Sequence, residues 1–338
     1  MPAKRPFAIV FIHGLARKPP PDKLREIWLW GLARENPMPS VFAPPNKGVD
    51  LNSMSIPQRF NYYADVFYGI DYETELDSYY EANENSDSEI EVESLDKFEP
   101  ELNPPHPVTP RERAFIENLE AKLKANPVLA TTALEPSSAA SRRDYEIASW
   151  LPSPVKEAII KKAAMEAFYF LFNKEYLRSD GTRFMVRQEL RSRLLKDLSA
   201  AQSQAEKIVI VSHSMGTMVA YDVLRNCPEC PAVNTLFTLG SPLGIREVQD
   251  ELIAMDASDV DFPAAKLEHW INVYDPLDPV CGADPKLDND YHPVNGRAVQ
   301  DIRESNWGNW RHTITHYFAG NRFRDRLRAA VGREQDGY

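Results

Sequence analysis

Short apolar runs recur along the 338-residue chain, each broken off by glycine, proline or polar residues, and their lengths suit buried strands better than helices. Phe7 to Ile12 is unbroken and leads into His13-Gly14-Leu15, while Ile208 to Val211 leads into Ser212-His213-Ser214. Tyr62 to Tyr68, Val233 to Leu239, Trp270 to Tyr274 and Ala298 to Ile302 read as further strands. Unbroken runs such as the first two predict strands covered on both faces, as in a mostly parallel sheet. Helical spacing fills much of the rest. Asp22 is placed to cap a helix with Leu24, Ile27 and Leu32 on one side. Helices are also predicted from Arg111 to Ala125, from Pro154 to Leu177 and from Thr182 to Ala201, the last with Leu190, Leu194 and Leu198 inward. Ser153 and Pro154 suit the start of the long one. Met218, Val219, Val223 and Leu224 mark another helix directly after Ser214.

Nearly 140 residues separate Tyr68 from Ile208, far more than one crossover needs. The spacing therefore predicts a core from 1–70 and 205–338, interrupted by a mainly helical cap at 71–204. The net charge of -11 has a local source: residues 71–101 hold 13 acidic residues against one lysine, which leaves the remainder at +1. That segment has too few apolar residues to offset its ordering entropy and reads as solvated. No basic face is visible, which argues against nucleic acid as a partner. No apolar window is long enough to span a bilayer and no signal peptide is read at the N-terminus; peripheral contact with a membrane is left open. Cys227, Cys230 and Cys281 are an odd number without zinc-ligand spacing, so reduced thiols, a cytoplasmic location and no structural metal are expected. Nothing points to a cofactor, and oligomeric state is not legible.

Chemistry concentrates where the strand at Ile208 turns into a helix at Ser214-Met-Gly216. Only a few residues are available for the reversal, which forces the central serine into a strained conformation with an outward hydroxyl and requires small neighbours. Gly216 is one of them and Ser212 the other. The stretch closely resembles the nucleophile elbow of the α/β-hydrolase superfamily, with Ser212 standing where glycine is usual. A serine hydroxyl needs a histidine base and an orienting carboxylate, and the chain offers both in the order Ser, Asp, His, each in a loop after a predicted strand. Asp278, in Asp278-Pro-Val, lies a few residues past its strand end and is the preferred acid; Asp275 is the alternate and otherwise shapes the turn. His312 precedes a helix that Thr313 can cap, so it is the preferred base over His316 inside that helix. His213 is expected to point away from the site.

Over 1–70 and 205–338 the resemblance implies an α/β-hydrolase fold, a mostly parallel central sheet flanked by helices, with the large helical insertion as cap. It implies a lipase- or esterase-like serine hydrolase, Gly240-Ser-Pro-Leu-Gly244 being similar to lipase-like members. Met215 N-H, directly after the nucleophile at a helix start, is one oxyanion donor; similarity to lipase loops makes Leu15 N-H the second. His13 and Gly14 order and open that loop beside the substrate. Phe168 and Phe172 are expected either to pack in the core or to roof an acyl pocket. The substrate is then a small-molecule or acyl-lipid ester. A serine peptidase or an acyltransferase would use the same residues, and a binding module retaining the fold would need none of them.

Overall fold

Strand β1 (Arg5–Ile12) lies between β2 (Gln58–Asn61) and β5 (Ala205–His213), and β6 (Val233–Leu239), β7 (Leu267–Tyr274) and β8 (Val299–Arg303) extend the sheet outward from β5. All five pairings are parallel. The computed structural model describes residues 3–14, 18–69, 109–125, 153–255, 257–281, 284–307 and 311–332. The acidic segment 71–101 and Leu15 therefore lie outside the described residues.

Alternation along the strands divides the core into two faces. Ala8, Val10 and Ile12 of β1 join one cluster with α5 (Val186–Gln204) and α6 (Met215–Asn226). Ile9 and Phe11 face the other, with α1 (Pro21–Ala33) and the chain end, α8 (Ile314–Tyr317) and α9 (Asn321–Ala330). Both faces are covered, which is why β1 and β5 read as continuous apolar runs. Leu190, Leu194 and Leu198 are buried as expected, and α5 packs on β1, β2 and β5. Its tie to α6 is ionic: buried Asp222 accepts from Arg187 and Arg191.

Four local expectations change. The second strand ends at Asn61, and Ala64–Tyr68 is instead a short helix, α2. Tyr63 N-H donates to the His13 ring, which pulls the chain off the sheet where β1 ends; strand-prone Tyr, Val and Phe then pack as helix residues against the core. The long helix, α4 (Ser153–Leu171), stops six residues early. Asn173 turns back with φ 48°, and β3 (Glu175–Leu177) with β4 (Arg183–Met185) form an antiparallel hairpin, so α5 begins at Val186. At α1, Pro20 is the cap residue and Asp22 sits within the first turn. The terminal helix is two pieces, because the chain turns between Tyr317 and Asn321. Helix α3 (Pro110–Ala125) falls where its pattern predicts and packs on α4.

Candidate active site

The C-terminal ends of β5, β6, β7 and β8 lie side by side, with His213 opposite Leu239, Leu239 opposite Val273, and Tyr274 opposite Arg303. Loops leaving a parallel sheet converge along this edge. The chain reverses at Ser214 with φ 54° and ψ -130°, a conformation that costs a non-glycine residue free energy and persists only where its surroundings impose it. Here α6 packs so closely that a Cβ on Gly216 would lie 2.4 Å from the His13 carbonyl oxygen. Ser212, the unusual neighbour, is accommodated because its hydroxyl donates to the Phe237 carbonyl at 2.8 Å. Ser214 Oγ, by contrast, makes no hydrogen bond among the described residues.

Asp278 and His312 come together from the loops after β7 and β8, with Nδ1 at 2.9 and 2.8 Å from the two carboxylate oxygens. Burial alone would raise the Asp278 pKa; the neighbouring His312, the Tyr317 hydroxyl at 2.6 Å and the Val280 amide at 2.7 Å hold it below its ordinary value instead. Ser214 is joined to this pair through β6. Ser214 N-H donates to Leu239 O at 3.0 Å. The next residue, Gly240, has φ 55°, and a Cβ there would sit 2.8 Å from Asp278 Oδ2 and 3.1 Å from His312 Nδ1.

The alternates occupy different places. Asp275 is buried and turned to Arg311, whose Nη1 lies 3.1 Å away; it also accepts from the Leu277 and Asn306 amides. Burial raises its carboxyl against the pull of Arg311, and it holds the segment preceding His312. His316 stacks on Trp307 at 3.6 Å between ring centroids. Burial, with the Arg34 and Arg311 charges, lowers it to about 3, so the ring is neutral over the physiological range.

His213 differs from its expected orientation. Its ring lies 4.6 Å from that of His312, and burial together with the His312 charge pushes its pKa well down. A neutral imidazole thus lies beside His312. His13 is fully buried: Nε2 accepts from Tyr63 N-H, which leaves Nδ1-H to donate to Gly14 O at 2.6 Å. With both nitrogens used and burial lowering the pKa to about 3, the ring orders the loop instead of meeting a substrate. Gly14 passes directly over Ser214, since an added Cβ would lie 2.7 Å from Ser214 Cβ.

Met215 opens α6, where the first backbone N-H groups have no helical acceptor and the helix dipole favours negative charge. Thr217 braces this turn, with Oγ1 donating to Ser214 O at 2.6 Å and lying 2.7 Å from Ser241 Oγ. A small apolar cavity adjoins Met215 and Val280, walled by Leu119 and Leu123 of α3 and Ala163 and Ala167 of α4. Phe168 and Phe172 do not line it. Phe168 is fully buried and packs on Tyr169 and Phe172, and Phe172 meets Phe115 edge to face. The helix presents Ala163 and Ala167 to the cavity, with α3 packed alongside it. Sequence reading missed Tyr317, which carries no local motif, and the role of Arg311.

The six-stranded parallel sheet, the strained elbow after its β5 strand and the convergent acid and histidine loops define an α/β-hydrolase fold. Residues 140–270 match the family described as the PGAP1-like alpha/beta domain, an α/β-hydrolase-type lipase and esterase family. The match takes in Ser214 and ends before Asp278 and His312, so those two rest on geometry. No curated protein matches the chain. No helix among the described residues is long and apolar enough to cross a membrane.

Proposed function

We propose that the chain is a serine hydrolase that cleaves a carboxylic ester through an acyl-enzyme. Ser214 Oγ attacks the ester carbonyl as His312 Nε2 takes its proton, and the Nδ1-H of the resulting imidazolium stays on Asp278. The tetrahedral oxyanion faces the Met215 amide. His312 then protonates the departing alkoxide and leaves the acyl group on Ser214. Water, deprotonated by His312, attacks that ester in turn, releasing the carboxylic acid and returning the proton to Ser214.

The observation that carries this reading is the 2.8 Å contact between Asp278 and His312, delivered to the same sheet edge as the elbow. Tyr317 supports it by donating a second hydrogen bond to the acid. The three free, buried thiols support a reducing, cytoplasmic setting. Incubation with a fluorophosphonate probe should label Ser214, located by peptide mass spectrometry, and Ser214→Ala should lose the label and all turnover of p-nitrophenyl esters. Labelling that persists in the alanine variant would sink the mechanism.

A further inference from the structure

His213 ends β5 directly before the elbow serine and is fully buried. Its ring is closely enclosed. The His312 ring lies 4.6 Å away between centroids with 31° between the planes, Tyr317 lies 6.1 Å away, and Trp28 of α1 meets it edge-on at 6.5 Å. Gly14 is nearer still, because a Cβ added there would come within 3.1 Å of His213 Nδ1. Neither ring nitrogen makes a hydrogen bond of good geometry among the described residues. Burying an imidazole on those terms costs free energy that a leucine of similar size would avoid. Packing alone therefore does not account for histidine at this position, whereas the imidazole offers what leucine lacks, an aromatic face, and it is the smallest ring that could stand beside Gly14.

We propose that His213 is a positioning residue for His312, its ring face stabilising the imidazolium that forms as Ser214 loses its proton, an inference that rests on the ester-hydrolase reading and deepens it. A cation within about 6 Å of an aromatic face is attracted to the ring, and more strongly where water is excluded. The proton passes from Ser214 Oγ to His312 Nε2 and on to the leaving alkoxide, so His213 neither takes nor gives one. The charges around the two rings fit this division. Asp278 and the Tyr317 hydroxyl lie on the Nδ1 side of His312, and Asp275 is turned to Arg311. The Cys281 thiol, 3.6 Å from the Tyr317 hydroxyl, is held protonated by burial. Buried Lys18 and the His312 charge both act on His213, and with desolvation they keep its ring neutral; His13 is neutral as well. Of the two stacked rings, only His312 therefore becomes a cation.

The rate of fluorophosphonate labelling, followed against pH, reads the proton affinity of His312 without a choice of substrate. His213→Leu fills the space but has no ring face. It should slow labelling about tenfold and move the acid limb of the profile down by about one pH unit, because the protonated base is no longer favoured. His213→Phe restores a face and should bring the limb back toward its original position. His213→Met, which also lacks a ring, takes the place of the leucine variant if circular dichroism shows that it fails to fold. A folded leucine or methionine variant that keeps the original rate and limb overturns the proposal, as does a folded phenylalanine variant displaced as far as the leucine one. The His312 ring can also be titrated by nitrogen NMR in the Ser214→Ala protein, with and without His213→Leu. If the unmodified chain takes no label, the ester chemistry falls, and a downward shift of that titration still supports the ring contact. Labelling together with an unmoved His312 titration keeps the ester chemistry and removes the role of His213.

Discussion

Two aspartates three residues apart serve the histidine in different ways. Asp278 touches the imidazole itself and accepts from Tyr317 and Val280. Asp275 touches Arg311, the residue before the histidine, and fixes its side chain. Substituting Asp278→Asn should lower kcat by about a thousandfold or more, because the wrong tautomer of His312 is then favoured. Asp275→Asn should act first on folding. It removes a charged partner from a buried guanidinium, a loss worth about 3 kcal/mol, so urea denaturation should show it, and the turnover that remains should keep the KM of the parent. If Asp275→Asn proved the severe catalytic variant and Asp278→Asn the mild one, the acid would be misassigned.

At the scale of elements, the site is held by close approach between backbones. The β6 strand delivers Gly240 against Asp278 and His312, in a left-handed conformation that only glycine adopts without strain. Gly240→Ala carries two penalties, a strained φ and a Cβ 2.8 Å from Asp278 Oδ2. The carboxylate must shift, and the variant should lose at least a hundredfold in kcat with its Tm lowered by several degrees. A fully active, fully stable Gly240→Ala would show that β6 does not position the pair. Ser212 is the contrasting case at the same level, since a side chain fits there by donating to Phe237 O.

The whole molecule buries histidines that stay neutral, and this gives folding a defined pH dependence. His13 and His316 are lowered to about 3, whereas in the unfolded chain they titrate near 6.5. Between those values the unfolded state binds more protons, so stability rises with pH and is lost as pH falls below about 6.5. Each such histidine should cost about 2 kcal/mol between pH 7 and pH 5. Asp278, held low by its partners, adds to the loss only at more acid pH, as it passes below the ordinary carboxylate range. Replacing His316→Phe keeps the stack on Trp307 and removes one titrating group, so its urea-derived stability should fall by about 2 kcal/mol less than the parent over that pH interval. Identical losses in both proteins would mean that His316 is protonated in the folded state.

Local pattern alone determined much of this protein. The apolar runs at Phe7 and Ile208 required strands buried on both faces, and the short reversal at Ser214 required a strained serine between small residues, because those constraints act over a few neighbouring positions. Asp278 and His312 were legible as loop residues after strands for the same reason. What lay beyond the sequence depended on contacts between distant segments. Tyr63 donating to His13 decided that 64–68 is a helix, against the strand propensity of its residues. The packing of α4 on α3 decided that Ala163 and Ala167, not the larger aromatics, meet the cavity. Tyr317 reached Asp278, and His213 turned toward His312, only because the chain end packs back across the sheet edge. Periodicity fixes which side of an element is apolar, but burial and close packing choose what that side meets, and that choice is a property of the assembled fold.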